Sequence, residues 1–204
     1  MQRSPDASRC CRNVTLTPLP HDVAYASSDA ETFAIDCAQS SIRFTVPFFW
    51  FTTVAGTFGE ITGTIHQMPE PARSAAEVHI ASASLRTANA LRDRHLRSSH
   101  YFDCDRFPSI DFHGTTVCPR DAAMIVLNGA LTIRGVTNEI EITLTRVRAK
   151  QSDAERSARI RFRGSCVIDR ISYGVRGGGI LGLADGLIGR LIQCDLDIEA
   201  GRVR

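Results

Sequence analysis

The chain has 204 residues, of which 43% are hydrophobic, so it is long enough to form one domain with a sizeable core. Its 24 Lys and Arg residues against 22 Asp and Glu residues give a net charge of +2, which argues against a nucleic-acid partner. The sequence contains no apolar run of about 18 residues for a membrane span, and its first 30 residues show no secretory signal. We therefore expect a cytoplasmic protein, and seven cysteines without a CxxC or metal-finger spacing agree with a reducing compartment.

The chain begins with a segment that is rich in Pro, Ser and Asp. Residues 1–30 are predicted to be a flexible N-terminal extension, and the folded domain is predicted over residues 31–204. Alternation of apolar and polar residues, with period two, indicates strands in the first half of that domain. These strands are predicted at residues 32–36, 42–54, 57–66 and 75–84.

A short helix interrupts the strand pattern at residues 89–98. Thr87 or Asn89 can cap its N-terminus, since a side-chain oxygen there accepts a hydrogen bond from the first turn. Leu91 and His95 are four residues apart and therefore lie on one face of the helix. The same few residues contain Arg92 and Asp93, so this helix carries much of the polar chemistry of the chain.

The second half of the domain alternates again. Gly135 predicts a tight turn between two strands, and the total is about eight strands joined mostly by short turns. Cys166 and Cys194 fall at apolar positions of this pattern and are predicted to be core thiols. The fold class is all-β, an antiparallel barrel or sandwich with one helix. The strands after the helix are predicted at residues 109–118, 122–133, 139–147, 159–168 and 191–200.

The cluster of Arg92, Asp93 and His95 allows three interpretations. His95 could be a general base that Asp93 orients, but residues two apart on a helix do not face each other, and no Ser or Cys nucleophile has a recognisable motif. The three side chains could bind the polar group of a ligand, or they could fix the helix to the rim of the barrel. The histidines show no HxH, HxxxH or HExxH spacing, so no metal site is predicted.

Seven short motifs of this chain occur in the same order as in the YceI family, the lipocalin-like polyisoprenoid-binding proteins. Through them, residues 33–200 resemble that family. The resemblance implies an extended eight-stranded antiparallel barrel whose lumen holds a long isoprenoid chain, such as a quinone tail or a polyprenyl lipid, in a homodimer without a cofactor. The motifs are Phe44-x-Val46, Gly56-x-Phe58, Ala83-Ser84-Leu85-x-Thr87, Arg92-Asp93-x-His95-Leu96-Arg97-Ser98, Phe102-Asp103, Phe107-Pro108-x-Ile110-x-Phe112 and Gly129-x-Leu131-Thr132-Ile133-x-Gly135-Val136-Thr137.

This resemblance leads us to expect a non-enzymatic protein that binds, stores or transports an isoprenoid. Two alternatives stay open: an enzyme that acts on such a lipid, and a structural or stress-related dimer whose barrel is filled by side chains. Phe48 stands where relatives typically carry His, so a role of that His in binding the headgroup does not carry over. The residues predicted to line the lumen are Phe44, Val46, Phe48, Trp50, Val54, Phe58, Val78, Ile80, Leu91, Phe102, Phe112, Leu131, Phe162 and Ile168.

Overall fold

The computed structural model describes residues 30–49, 51–121, 123–148, 158–176 and 187–203. The predicted flexible extension therefore lies outside the described residues, apart from Ala30. Within the described ranges, no helix has the length and hydrophobicity needed to cross a bilayer. The strands are β1 (Glu31–Ile35), β2 (Ser41–Phe48), β3 (Thr52–Phe58), β4 (Ile61–Gln67), β5 (Ala75–Ala81), β6 (Leu85–Arg86), β7 (Ser109–Pro119), β8 (Met124–Ile133), β9 (Val136–Val147), β10 (Arg159–Asp169) and β11 (Leu191–Arg202), and the α-helix is α1 (Ala90–Arg97).

The strands form one antiparallel sheet that closes on itself. Strand β1 continues into β2, β3 into β4 and β5 into β6, and the halves of each interrupted strand pair with the halves of the next. Strand β11 closes the barrel by pairing with both β1 and β2. Counting each interrupted strand once, the chain runs up and down through eight strands, which confirms the predicted eight-stranded antiparallel barrel with one helix.

In an up-and-down barrel, every second connection between strands lies at the same end. One end therefore carries the β2–β3 turn, the long connection that contains α1, the β8–β9 turn and the segment between β10 and β11. Arg134 ties three of these connections together, because its guanidinium donates to the carbonyl oxygens of Ser99 (3.1 Å) and Gly174 (2.9 Å). We call this the helix end of the barrel. The predicted tight turn at Gly135 is confirmed, with φ = 72°.

The prediction of one strand over residues 42–54 is wrong. The structure ends β2 at Phe48, has turn conformations at Phe49 and Phe51, and starts β3 at Thr52. Phe49 adopts a left-handed backbone with φ = 50°, a conformation that aromatic residues rarely supply and that Gly or Asn usually signals. The turn was missed because it contains aromatic residues in place of those signals.

The core has two parts along the barrel axis. The larger cluster includes most of the buried side chains that surround the lumen, and a smaller one of Phe33, Ile160 and Ala200 lies near the end opposite the helix. Both consist of inward-facing side chains of the alternating strands, as the two-residue period requires. The barrel is therefore packed at one end, and what remains is a lumen that opens toward the helix end.

An ion-pair network joins β10 to β11 on the face of the strands that points away from the lumen. Arg161 binds Asp197 through two parallel hydrogen bonds of 2.6 and 2.7 Å and reaches Glu199 at 3.3 Å. Arg159 binds Glu199 at 2.8 Å and also contacts Asp36, at the start of the β1–β2 interruption. Arg161 and Glu199 are buried, so each charge depends on its partner to offset the loss of water.

Candidate functional site

A cavity of about 760 Å³ lies inside the barrel. The sequence left open whether side chains fill the lumen, and the structure shows that they do not. The wall consists mainly of aliphatic and aromatic side chains from all eight long strands, and its few polar groups come mostly from the helix end: Asn89, Arg92, His95 and Arg170. A volume of this size lies in the range of about 300–1,000 Å³ that is typical of ligand-binding pockets.

Most of the residues predicted to line the lumen are found in the cavity wall. Phe162 is an exception: it packs with Phe33 and Ile160 in the second cluster, because its position near the start of β10 places it at the filled end of the barrel. Trp50 lies outside the described residues. The predicted residues that line the cavity are Phe44, Val46, Phe48, Val54, Phe58, Val78, Ile80, Leu91, Phe102, Phe112, Leu131 and Ile168.

Helix α1 borders this cavity and is held by a compact hydrogen-bond network. Asn89 is its N-cap, and its Oδ1 accepts from the backbone N–H of Arg92 at 3.0 Å. The buried carboxylate of Asp93 accepts from both the backbone N–H (2.8 Å) and the hydroxyl (2.5 Å) of Thr87. Arg92 donates to the hydroxyl and the carbonyl oxygen of Thr87 at 2.7 and 2.6 Å. Asp93 and Arg92 thus fix the start of the helix to the chain segment that enters it.

His95 takes no part in this network. It lines the cavity, is largely exposed, and packs against the rings of Tyr101 and His100, with centroid distances of 5.0 and 6.2 Å. The carboxylate of Asp93 binds Thr87 and does not orient His95. The arrangement gives His95 a place at the cavity border without the partner that a general base of the predicted kind would need.

Two further polar residues of the wall were not predicted. Arg170 is only 4% exposed, and its guanidinium donates to the carbonyl oxygens of Val175, Ile188 and Gly189 at 2.9–3.0 Å. Tyr173, at the end of the 3-10 turn Arg170–Tyr173, is buried beside it. Asp169 caps this turn and Gly174 follows in the left-handed conformation, so the local sequence did carry a turn signal. Nothing in it indicated that the turn would face a cavity.

Apolar side chains extend from the cavity to the outer surface at the helix end. Phe48 lines the cavity and packs edge-to-face on Phe49, at 4.9 Å between ring centroids. Phe51 is 86% exposed, and Leu91 on α1 is 77% exposed although it also borders the cavity. Several large apolar side chains that are exposed together at one end of a barrel, as these are, usually mark a surface that contacts a ligand, a membrane or another protein.

The family model that matches this chain is described as the YceI-like domain, and it covers residues 33–200. A UPF0312 protein of Shewanella baltica is 27% identical over 157 residues, which is 76% of this chain and 82% of the relative. The match therefore extends over nearly the whole described barrel.

Solved structures of similar proteins share the fold. BcnA of Burkholderia cenocepacia superposes with a TM-score of 0.71 at 18% identity, covering 81% of this chain and 99% of that one. A polyisoprenoid-binding domain from Saccharophagus degradans, implicated in plant cell wall breakdown, gives 0.65 at 14% identity and covers 84% and 98%. At these identities the likeness concerns the architecture alone.

Proposed function

Because this chain belongs to the YceI family, we propose that it binds a long-chain isoprenoid, a quinone or a polyprenyl lipid, in the barrel lumen and stores or carries it without chemical change. The observation that carries this proposal is the apolar cavity of about 760 Å³. The name of the Saccharophagus degradans neighbour, a polyisoprenoid-binding domain, supports the same class of ligand.

The distribution of polar groups along the cavity suggests how the ligand is oriented. Arg92, His95 and Arg170 belong to the helix end, whereas the opposite end is closed by Phe33 and its apolar neighbours. An isoprenoid tail directed toward Phe33 gains about 0.8 kcal/mol for each CH₂ group taken from water. A polar headgroup cannot be satisfied there and is better placed at the helix end, where it meets donors or water.

A binding role fits the helix-end residues better than catalysis does. The side chains of Arg92 and Asp93 form their hydrogen bonds with Thr87. His95 packs against aromatic rings and contacts no carboxylate in the part of the chain that the structure describes. This supports the interpretation in which Arg92 and Asp93 fix α1 to the barrel rim, with His95 as the residue of the three that is available to a headgroup. The proposed ligand enters and leaves at this end, past Phe51 and Leu91.

Titration of the delipidated full-length chain with an isoprenoid quinone tests this function. We expect one ligand per chain and strongly weakened binding in Leu131→Trp, since Leu131 is a buried residue of the cavity wall and a larger ring there occupies the lumen. Val167→Trp is the matched control, because Val167 is exposed on β10 and lies outside the wall. Equal binding by the wild type and Leu131→Trp would place the ligand elsewhere and refute the proposal.

A further inference from the structure

Two thiols face each other in the cavity wall. Cys166 on β10 is the direct partner of Cys194 on β11 in the antiparallel register, and both side chains are buried and line the cavity. Neither forms a disulfide, and a hydrogen bond joins the two side chains. Directly opposed residues of antiparallel strands have Cα atoms about 4.5–5.5 Å apart, within the range of about 4.4–6.8 Å that a disulfide spans. A bond between the two sulfur atoms therefore needs no movement of the strands.

A buried tyrosine hydroxyl lies beside this pair. Tyr173 is 2% exposed, lines the same cavity, and its hydroxyl makes no hydrogen bond to the described part of the chain. Burial is the main cause that raises the pKa of Tyr173. The nearby side chain of Asn138 lowers this pKa by less, and a negative charge on Cys166 raises it further, so the hydroxyl keeps its proton. A protonated hydroxyl in this apolar wall can donate a hydrogen bond to an acceptor atom of the ligand.

The two thiols differ in acidity because of their mutual hydrogen bond. That hydrogen bond lowers the pKa of Cys166, whereas the same contact, together with burial, raises the pKa of Cys194. The thiolate of Cys166, once formed, accepts a hydrogen bond from the thiol of Cys194. In dithiol chemistry, Cys166 would be the attacking thiol and Cys194 the resolving thiol that completes the disulfide.

We propose that Cys166 and Cys194 form a redox-active dithiol which, with the Tyr173 hydroxyl as donor to a ring carbonyl, reduces a quinone headgroup bound in the cavity. In this step both S–H bonds break and one S–S bond forms between the two cysteines. The two electrons and two protons released reduce the quinone ring to its hydroquinone, so atoms and electrons balance. The inference rests on one part of the proposed function, the binding of a quinone in the lumen. It replaces storage without chemical change by a single two-electron reduction of that quinone.

The neighbouring groups favour a quinone over a polyprenyl phosphate at this position. A quinone ring offers two acceptor oxygens and no charge, which suits a tyrosine donor in an apolar wall. A phosphate needs cationic donors, and the guanidinium of Arg170 already donates to three backbone carbonyl groups, those of Val175, Ile188 and Gly189.

The test uses the reduced, delipidated full-length chain under anaerobic conditions with an isoprenoid quinone that carries two isoprene units. Hydroquinone formation is followed by absorbance, and thiols are counted by mass after maleimide labelling in denaturant. We expect one hydroquinone and one Cys166–Cys194 disulfide per chain. Cys166→Ser and Cys194→Ser should each abolish both products, whereas Cys104→Ser, a buried thiol that does not line the cavity, should leave them unchanged. Tyr173→Phe should weaken quinone binding about tenfold, the loss of one buried hydrogen bond.

Three other results would each contradict a different claim: the dithiol chemistry, the binding function, or the juxtaposition of the two sulfur atoms. Quinone that binds at one per chain while all thiols stay reduced overturns the dithiol and leaves the carrier function intact. Failure of both the quinone and a polyprenyl phosphate to bind refutes the proposed function as well. Oxidation of the wild type by diamide serves as an independent check on the geometry, because a disulfide that excludes Cys166 or Cys194 would show that the two sulfur atoms do not face each other.

Discussion

Replacement of Asp93 by Ala tests whether the polar residues of α1 fix the helix or bind the ligand. Asp93 is buried, and one carboxylate oxygen accepts two hydrogen bonds from Thr87, one from the backbone N–H and one from the hydroxyl. The hydroxyl of Thr87 can turn to another acceptor, but its backbone N–H loses its partner in the variant. Thr87 is itself buried, so water does not easily replace the carboxylate.

The magnitude follows from these two hydrogen bonds. An N–H group left buried without an acceptor costs about 1–3 kcal/mol, and a hydrogen bond to a charged acceptor contributes about 1.5–3 kcal/mol. Because the two terms overlap, we expect Asp93→Ala to lower the free energy of unfolding by roughly 2–4 kcal/mol. At about 2–4 °C per kcal/mol for a chain of this size, Tm should fall by roughly 5–15 °C.

Urea denaturation and thermal melting measure this loss, and the bound lipid per chain is determined on the same samples. Arg94→Ala is the matched control, because Arg94 is an exposed residue of the same helix, and its replacement should change stability by no more than about 0.5 kcal/mol. We expect Asp93→Ala to keep the lipid stoichiometry of the wild type. Stability within 1 kcal/mol of the wild type (about the smallest cost of an orphaned N–H), together with lost lipid, would identify Asp93 as a headgroup ligand and refute the structural role.

Three further predictions concern other parts of the molecule. Hydrogen bonds from Arg161 are the main cause that lowers the pKa of Asp197, so this carboxylate stabilises the fold above about pH 4 and its contribution is lost as the pH falls further. Asp197→Asn should therefore flatten the acid limb of a curve of stability against pH. An unchanged acid limb would show that Asp197 does not contribute to it. Gly63→Ala should destabilise the protein by more than about 2 kcal/mol in urea, since a Cβ atom there would lie 2.0 Å from the Glu77 carbonyl oxygen; a smaller loss would show that the strand relaxes. Phe51→Glu should slow lipid transfer to vesicles more than Val167→Glu, the same change at an exposed site on β10, and equal rates would show that Phe51 does not belong to the exit path.

Alternation of apolar and polar residues predicted most of the barrel, because each strand has one face toward the lumen and a slip of one residue would expose it. The helix was also predicted, with Thr87 or Asn89 as its cap, and the structure has Asn89 there. Such a prediction is possible because capping depends on residues that are close in sequence. The turn at Phe49 was missed because tertiary packing holds an aromatic residue in a backbone conformation that its own preference does not favour. Strand alternation and helix capping could therefore be predicted from neighbouring residues, whereas the turn at Phe49 could not.

The composition of the site was harder to predict. Phe162 has the same alternation as Ile168, and only the position of the filled cluster along the barrel axis separates a core residue from a wall residue. The partner of Asp93 is six residues away at Thr87, a contact that the helical spacing of the cluster does not indicate. The pairing of Cys166 with Cys194 depends on the register of two strands joined by a long connection. The homodimer implied by the family resemblance stays a prediction, which light scattering can test.

Mass spectrometry of the organic extract from gently purified, full-length protein tests the central claim most directly. The account predicts an isoprenoid lipid at close to one molecule per chain, and a reduced amount in Leu131→Trp, which fills the lumen. An extract without lipid, or one that contains only straight-chain fatty acids, would contradict the claim that the cavity of about 760 Å³ is built for an isoprenoid.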